Sequence, residues 1–542
     1  MFSLVWIALI AAASTSARPP STSTRAQPHR QTALTQRSYV DDVDSTDTAN
    51  SARNYVFAHF IQGNAQSYTK DDWVADMTSA QNAHIDAFAI NIGTDPTNAV
   101  QLPLLYDVAD SLNFKVFLSF DMSYYGYGGS SGDIERTIKQ FANRTSQFKY
   151  DGRVFVSTFS GEVPGTYLDG NANYPTTWCS LKASLRGHGV DVSSSRSSFS
   201  YFPARMLIQP FTMERNKQIY LLPGWTGVKP SVTRCADGLL SWDAWPPHSD
   251  LIMGNSTSTH DNITSQENLY FPDTAFIASA EAMGKSFASP VSPLFFKHLG
   301  DSPGDNLIYR SDDWMMINRY TKLIQLETKP QFIELLTWND YGESHYLSDP
   351  RPSANLPQGA VSAHQYVDGF PHTPLLNLTS YFNQWYKTGT PPVMNQRTTV
   401  YVWYRPHLKN AIAYNDTLPI PAFSNLTEDR IYAYLIPSPD TNVTSIRILS
   451  GPQVLEQVLF PLDDASASTS PDLCRMYEDV SNDNEAEVDG DGILLSAPFQ
   501  PGSQFIELLD KKGRTLASLQ GLEIEECPQT YNFNYWTGSL SA

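Results

Sequence analysis

Phe332-Ile-Glu-Leu-Leu-Thr-Trp-Asn-Asp-Tyr-Gly-Glu-Ser-His-Tyr346 is the stretch that decides the fold. An apolar run rich in strand formers stops abruptly at a polar cluster: Trp338, Asn339, Asp340, Glu343, Ser344 and His345. Buried parallel strands read as continuous apolar runs, and active sites of α/β barrels form where such strands end. Asp340 and Glu343 put two carboxylates three residues apart, the groups that general acid–base work requires. The same Asp-x-x-Glu spacing is also a capping box, with Asp340 as N-cap and Glu343 reaching back. The flanking strand and aromatics favour the chemical reading.

The alternation of strand and helix extends back to residue 55. Strands are predicted at Tyr55–Phe60, Ala87–Gly93, Val116–Asp121, Val154–Phe159, Ile219–Pro223, Gly238–Asp243, Pro293–His298 and from Phe332. Between them, apolar residues recur at helical spacing over Asp71–Ala83, Val100–Leu112, Ile134–Ala142, Trp178–Gly187, Ala275–Met283 and Trp314–Leu326, and again after the last strand over Leu375–Tyr386. Residues 190–215 and 252–270 read as irregular surface loops. This pattern predicts a (β/α)8 TIM-type barrel over residues 54–389. At or just past the strand ends stand His59, Asn91, Asp121, Glu162, Trp225, Trp242, Asp243, Lys297 and Asp340. A single polar residue there is usually a cap, but such groups at every strand end point to one shared mouth.

Residues 388–398 form a Pro/Gly-rich join, after which helical periodicity ends. Thr399–Tyr404, Ile431–Ile436, Thr444–Leu449, Gly492–Ser496, Phe505–Leu509 and Leu516–Ile524 are short apolar or alternating runs between turn residues. They predict an antiparallel β-sandwich over 390–542. The acidic run Asp483–Asp491 reads as a solvated loop in preference to a calcium site.

Basic residues number 37 against 56 acidic ones, a net charge of −19, which excludes nucleic acid and anionic membrane surfaces as expected partners. Met1–Ala17 reads as a secretory signal: Leu4–Ala13 is too short to span a bilayer and Thr15-Ser-Ala17 is a small-residue cleavage site. Residues 18–53, rich in Ser, Thr, Gln and Arg, read as a disordered leader. The four cysteines suggest disulfides Cys179–Cys235 and Cys474–Cys527 by their clustering, although three pairings are possible. Asn-x-Ser/Thr sequons stand at Asn143, Asn255, Asn262, Asn377, Asn415, Asn425 and Asn442. A secreted glycoprotein is expected, acting as a monomer, with no metal or other cofactor.

Seven segments carry a resemblance: Val56–Phe60 with Gly63-Asn64, Ile85–Gly93, Val116–Asp121, Val156–Phe159, Leu240-Ser-Trp-Asp-Ala-Trp-Pro246, Tyr309-Arg-Ser-Asp-Asp-Trp314 and Leu336–Tyr346. Together they resemble the fungal α-1,3-glucanases, or mutanases, of glycoside hydrolase family 71. The resemblance implies a barrel followed by a β-sandwich, and endo-acting hydrolysis of α-1,3-glucan in cell walls with inversion at the anomeric carbon. It also implies that Asp340 and Glu343 are essential. Desolvation by Tyr341 and Tyr346 is expected to raise the Glu343 pKa and make it the acid, with Asp340 the base; the reverse assignment stays open, as do Asp121 and Asp243 as partners. Trp242, Trp245 and Trp338 are candidate sugar platforms, and His59, Asn91 and Lys297 candidate hydroxyl partners. Asn339, His345 and Tyr346 complete the expected substrate-binding set. Arg310 and Asp312 read as a structural ion pair. Gln62 departs from the small or β-branched residue expected there. A wall-bound carbohydrate-binding protein without catalysis, or a glycosidase of another polymer, are the competing readings.

Overall fold

The computed structural model describes residues 53–125, 130–161, 174–187, 219–225, 235–245, 273, 276–302, 304–309, 311, 314–393, 397–459, 485–489 and 492–542. Eight parallel strands close into a barrel: β1 (Tyr55–Ile61), β2 (Ala87–Ile92), β3 (Lys115–Asp121), β4 (Arg153–Phe159), β5 (Ile219–Trp225), β6 (Gly238–Ser241), β7 (Ser286–Val291) and β8 (Phe332–Leu335). Each pairs with the next, and β8 returns to β1 in the register Tyr55 to Phe332.

Period-two alternation sorts each strand. On β1, Val56, Ala58 and Phe60 join the core under the helices, while Tyr55 and Phe57 join the barrel interior. That interior is aromatic at its base: Phe57, Phe117, Phe155 and Phe332 interlock at 4.7–5.5 Å, mostly edge to face. Phe148 and Tyr150, at the short strand Lys149–Tyr150 that pairs antiparallel with the start of β4, fold beneath Tyr55 at 5.2 and 6.1 Å and close the floor. Each such ring removed from water contributes about 1.5–3 kcal/mol. The closed base leaves the opposite mouth to carry polar groups.

Helices α1 (Lys70–Asn82), α2 (Asn98–Leu112), α3 (Ser131–Phe141), α4 (Tyr174–Gly187), α5 (Met315–Gln325) and α6 (Thr373–Thr388) accompany the strands, and residues 276–282 are also helical. Thr69 and Asp72 start α1 with a reciprocal capping box, and Gly389 stops α6 at φ 79°. Cys179 on α4 is bridged to Cys235. Cys474 lies outside the described residues, as do Met1–Ala17, Glu162, Arg310 and Asp312, so the expectations there have no structural counterpart.

One strand is corrected. The seventh barrel strand is Ser286–Val291, whereas Phe295–His298 of the expected Pro293–His298 pairs antiparallel with Asn306–Tyr309 in a hairpin above the mouth. Ser286-Phe-Ala-Ser-Pro-Val291 carries small residues and a proline, so it lacks the bulk by which strands are recognised.

Beyond residue 398 two antiparallel sheets follow. One orders Glu485–Asp489, Gly492–Pro498, Arg430–Ile436, Thr399–Tyr404 and Trp536–Ser541; the other orders Gln453–Leu459, Ser445–Ser450, Gln504–Leu509 and Thr515–Gln520. Val400, Val402, Ile431, Ala433, Ile446, Ile448, Ile506 and Leu508 fill the space between them. Most of the acidic run read as a loop is thus strand, with Glu485–Asp489 paired to Gly492–Ser496. The first sheet also packs on the barrel: Tyr434 meets Phe382 of α6 at 5.7 Å, and the Trp314 indole donates to the Ala433 carbonyl at 3.2 Å.

Candidate active site

At the end of β8 the chain turns through residues 337–346, and this loop is anchored before its acids are placed. Asn339 is wholly buried; it accepts the Ile61 amide at 2.7 Å and donates to the Ile61 carbonyl at 3.0 Å, as a neighbouring strand would. The Asp340 amide donates to Thr337 Oγ1 at 2.8 Å, and Asp340 Oδ1 accepts the Glu343 amide at 3.1 Å. That is half of the capping box. In place of the other half, Glu343 turns its carboxylate across to Lys297 and His345.

Lys297 stands on the hairpin, whose Phe296 amide donates to the Glu343 carbonyl at 3.0 Å. Its Nζ lies 3.3 Å from Glu343 Oε1 and 3.2 Å from Asp305 Oδ1. His345 Nε2 lies 3.1 Å from Glu343 Oε2 and 3.3 Å from Asp340 Oδ2, so one buried imidazole bridges both acids. The Ser344 residue between them adopts φ 59°, a left-handed conformation that persists in a non-glycine residue only when its surroundings impose it. Trp245, partly exposed, lies parallel to Tyr309 at 5.4 Å and edge-on to His345 at 5.4 Å.

Charge in this cluster is set by the two cations. Burial pushes the Glu343 carboxyl up, but Lys297 and His345 outweigh it and hold the group at about 2. Burial opposes a proton on His345, but Asp340 and Glu343 outweigh it and raise the imidazole to about 9. The expected elevation of the Glu343 pKa is therefore corrected: Tyr341 and Tyr346 are buried neighbours in the core, yet attraction to Lys297 and His345 dominates. The nearest donor atoms of Asp340, Glu343 and His345 lie within 4.8 Å of one another. Lys297 and His345 face these carboxylates at 3.1–3.3 Å, so the set can serve as an acid–base cluster.

A second polar layer lies deeper. His59 Nδ1 is 2.9 Å from Glu334 Oε1, both side chains being buried, and Trp242 meets the His59 ring edge-on at 4.9 Å. Glu334 Oε2 has no hydrogen bond among the described residues. Asp121 accepts the Ser123 amide at 2.9 Å; its carboxyl is pushed up by burial, against bonds from Ser123 and Asn91. Glu334 is the residue the sequence reading passed over. Its signal was present, because a glutamate inside an apolar strand is rarely fully buried without a partner.

Not every expected residue reaches the mouth. Trp338 is wholly buried against Phe88, on the helix side of the barrel wall, so it offers no face to a sugar. Tyr346 is wholly buried too, stacked on His372 at 3.9 Å. Lys297 is engaged by carboxylates, and Asn339 by β1. Gln62 is buried and lies 3.5 Å from Thr97 Oγ1, which removes it as a determinant of the cleft.

The family model for glycosyl hydrolase family 71 matches residues 52–174 and 196–459. The chain belongs to glycosyl hydrolase family 71. It is similar to a protein of Schizosaccharomyces pombe named glucan endo-1,3-alpha-glucosidase, 32% identical over 90% of this chain and 95% of that one. A Penicillium rubens mutanase is 27% identical over 92% and 91% respectively. An S. pombe ascus wall endo-1,3-alpha-glucanase is 28% identical over 68% of this chain and 75% of its own length.

For this glycoside hydrolase, the charge cluster sets a stability window. His345 lies above its ordinary 6.5, so its contribution is complete below pH 6.5 and lost as pH rises through 9. Glu343 lies below its ordinary 4.5, so its contribution is complete above pH 4.5 and lost as pH falls through 2. Melting temperature is expected to fall between pH 6.5 and 9, and His345→Gln to flatten that decline; an identical decline in the variant would refute the assignment.

Proposed function

We propose that this chain is a secreted, endo-acting hydrolase of α-1,3-glucosidic bonds in fungal cell-wall α-glucan, working by an inverting mechanism with Asp340 and Glu343 as its carboxyl pair. One observation carries the reading: the two acids that end β8 share the buried His345 ring, whose Nε2 lies 3.3 Å from Asp340 Oδ2 and 3.1 Å from Glu343 Oε2. The relatives' names supply the substrate. Secretion is supported by the leader read in the sequence, by the Cys179–Cys235 bridge, and by the exposure of Asn143, Asn377, Asn415, Asn425 and Asn442, the described sequon residues.

With Glu343 held ionised, the roles reverse from the sequence expectation. Glu343 is the base that activates water, and Asp340 relays the His345 proton to the leaving oxygen, the proton that Glu343 takes from water then returning to His345 at 3.1 Å. Trp242 and Trp245 flank the sugar. Asn91 and His59 bind its hydroxyls from below, and Asp121 and Asp243 stabilise positive charge at the anomeric carbon.

Inversion ordinarily needs carboxyls roughly 6.5–9.5 Å apart to admit a water, and retention roughly 5–5.5 Å. Oxygens within 4.8 Å favour retention as the second reading. In the inverting reading the pair opens as substrate enters, which Glu343 permits because its side chain is 31% exposed. Proton NMR of the first product decides: the β-anomer is expected, and an initial α-anomer would establish retention. Reducing sugar is expected from insoluble α-1,3-glucan and not from α-1,4- or β-1,3-glucan. Binding without release from any polymer would leave a carbohydrate-binding protein.

A further inference from the structure

The hairpin that carries Lys297 is gripped from outside the barrel. Ala422 donates its amide to the Asn306 carbonyl at 3.1 Å and accepts the Ile308 amide at 3.1 Å, so the segment 416–422 adds a third backbone to the hairpin. The start of that segment is Asp416, whose side chain is 1% exposed. Its Oδ2 lies 2.9 Å from His298 Nε2 and accepts the Tyr531 amide at 2.8 Å, while Oδ1 accepts the Leu418 amide at 2.8 Å. His298 is fully buried and completes its bonding through Nδ1 to Asn306 Oδ1 at 2.7 Å. One carboxylate therefore joins the hairpin to two stretches of the C-terminal region. Neighbouring residues on a strand face opposite ways, so pinning His298 inward directs Lys297 toward Glu343 and Asp305.

The catalytic loop is braced from the same region. Asn534, wholly buried, donates to Tyr346 Oη at 3.0 Å and to the Tyr366 carbonyl at 2.9 Å. The Tyr366 hydroxyl in turn donates to the Gly342 carbonyl at 2.9 Å, between the two acids.

We propose that the antiparallel C-terminal region is a working part of the active site, with Asp416 as the positioning residue that, through His298, aims Lys297 at Glu343. The proposal rests on the reading of Glu343 as one of the two reacting carboxyls. Among the described residues, Lys297 and His345 are the cations that face Glu343. Tyr309, pushed up to about 12 chiefly by burial, and Tyr366, raised chiefly by burial, stay neutral beside it. A slackened Lys297 therefore registers as a rise in the Glu343 carboxyl.

The test uses the full chain carrying Asp416→Asn, which keeps the side chain's size and one acceptor. Turnover on soluble α-1,3-gluco-oligosaccharides is followed against pH, together with the melting temperature. A misplacement of about 1 Å can cost as much as about 100-fold in rate, so kcat is expected to fall about 10- to 100-fold with KM within about twofold. The acid limb of the kcat profile is expected to move to higher pH. Lys297→Met should move the same limb, and the double variant should be no worse than Lys297→Met alone. Unchanged kcat in a folded Asp416→Asn protein overturns the proposal, and so does a loss of kcat with the acid limb unmoved. If Asp416→Asn does not fold, His298→Gln is read by the same criteria. Glu343→Gln run in parallel separates the two failures: activity retained there removes the underlying reading, whatever Asp416→Asn does.

Discussion

Asp340→Asn and Glu343→Gln are each expected to lower reducing-sugar release from α-1,3-glucan by about 10²–10⁴-fold, the range that a positioned acid or base supplies. Both changes are isosteric. In Asp340→Asn the amide oxygen can still accept the Glu343 amide that Asp340 Oδ1 accepts at 3.1 Å, so the loop keeps its turn. Glu343→Gln is costlier, because Lys297 and His345 lose the carboxylate between them and two cations then face each other. A lower melting temperature is therefore expected for Glu343→Gln than for Asp340→Asn.

Leaving-group chemistry separates the roles. An oligosaccharide bearing a dinitrophenolate leaving group needs no protonation at the departing oxygen, so a variant lacking only the acid should cleave it well. Asp340→Asn is expected to recover most of its rate on such a substrate and Glu343→Gln is not. The opposite pattern would restore Glu343 as the acid, against the attraction of Lys297 and His345. Activity within tenfold of the parent for both variants would move the chemistry to Asp121, the buried carboxyl raised by its surroundings, or to Asp243.

The barrel was legible in the sequence because its strands are apolar on both faces and its helices recur between them. The lost register at β7 shows the limit of that rule. The inside of the barrel there faces the rings of Tyr220, Phe155 and Phe332, and Ala288 joins them as a small side chain. A strand built of small residues reads as a turn, while the aromatic hairpin beside it reads as a strand. The site was legible as residue types at strand ends and illegible as charge. Asp340 and Glu343 could be named from their spacing, but the ionisation of Glu343 depends on Lys297 and His345, and Lys297 approaches from the hairpin 46 residues earlier. Trp338 and Tyr346 were misjudged for a related reason: the loop alternates between the mouth and the core, and aromatic rings suit either.

Gly359 offers a check on how tightly that hairpin is seated. A Cβ there would lie 2.1 Å from the Leu299 carbonyl oxygen, a backbone atom with no rotamer to yield. Gly359→Ala is expected to cost about 1–3 kcal/mol by overpacking. A melting temperature equal to that of the parent would show that the hairpin floats.

Arg319→Leu is expected to be the most destabilising single change away from the mouth, at about 3–5 kcal/mol, the usual result of removing one member of a buried pair. Arg319 on α5 and Asp273 are 1% and 2% exposed and 2.8 Å apart. Arg319 also donates to the Pro290 carbonyl through Nε at 3.1 Å and Nη2 at 2.6 Å, and Ser289 donates to Asp273 at 3.3 Å. This pair holds α5 to β7, the strand with the least side-chain bulk to hold itself. Leucine would fill the aliphatic part of the space and leave Asp273 without its cation. Burial already pushes the Asp273 carboxyl up against the pull of Arg319, so without Arg319 it rises further. A carboxyl raised in the folded state is tolerated where it is protonated, so the deficit should shrink as pH falls toward the unfolded value of 3.8. Urea midpoints for parent and variant at neutral and mildly acidic pH test this, and a deficit independent of pH would show that lost packing, not the stranded carboxylate, sets the cost. Converting Asp273 to Leu in the same chain should recover much of the loss at neutral pH, because no buried charge is then left unpaired.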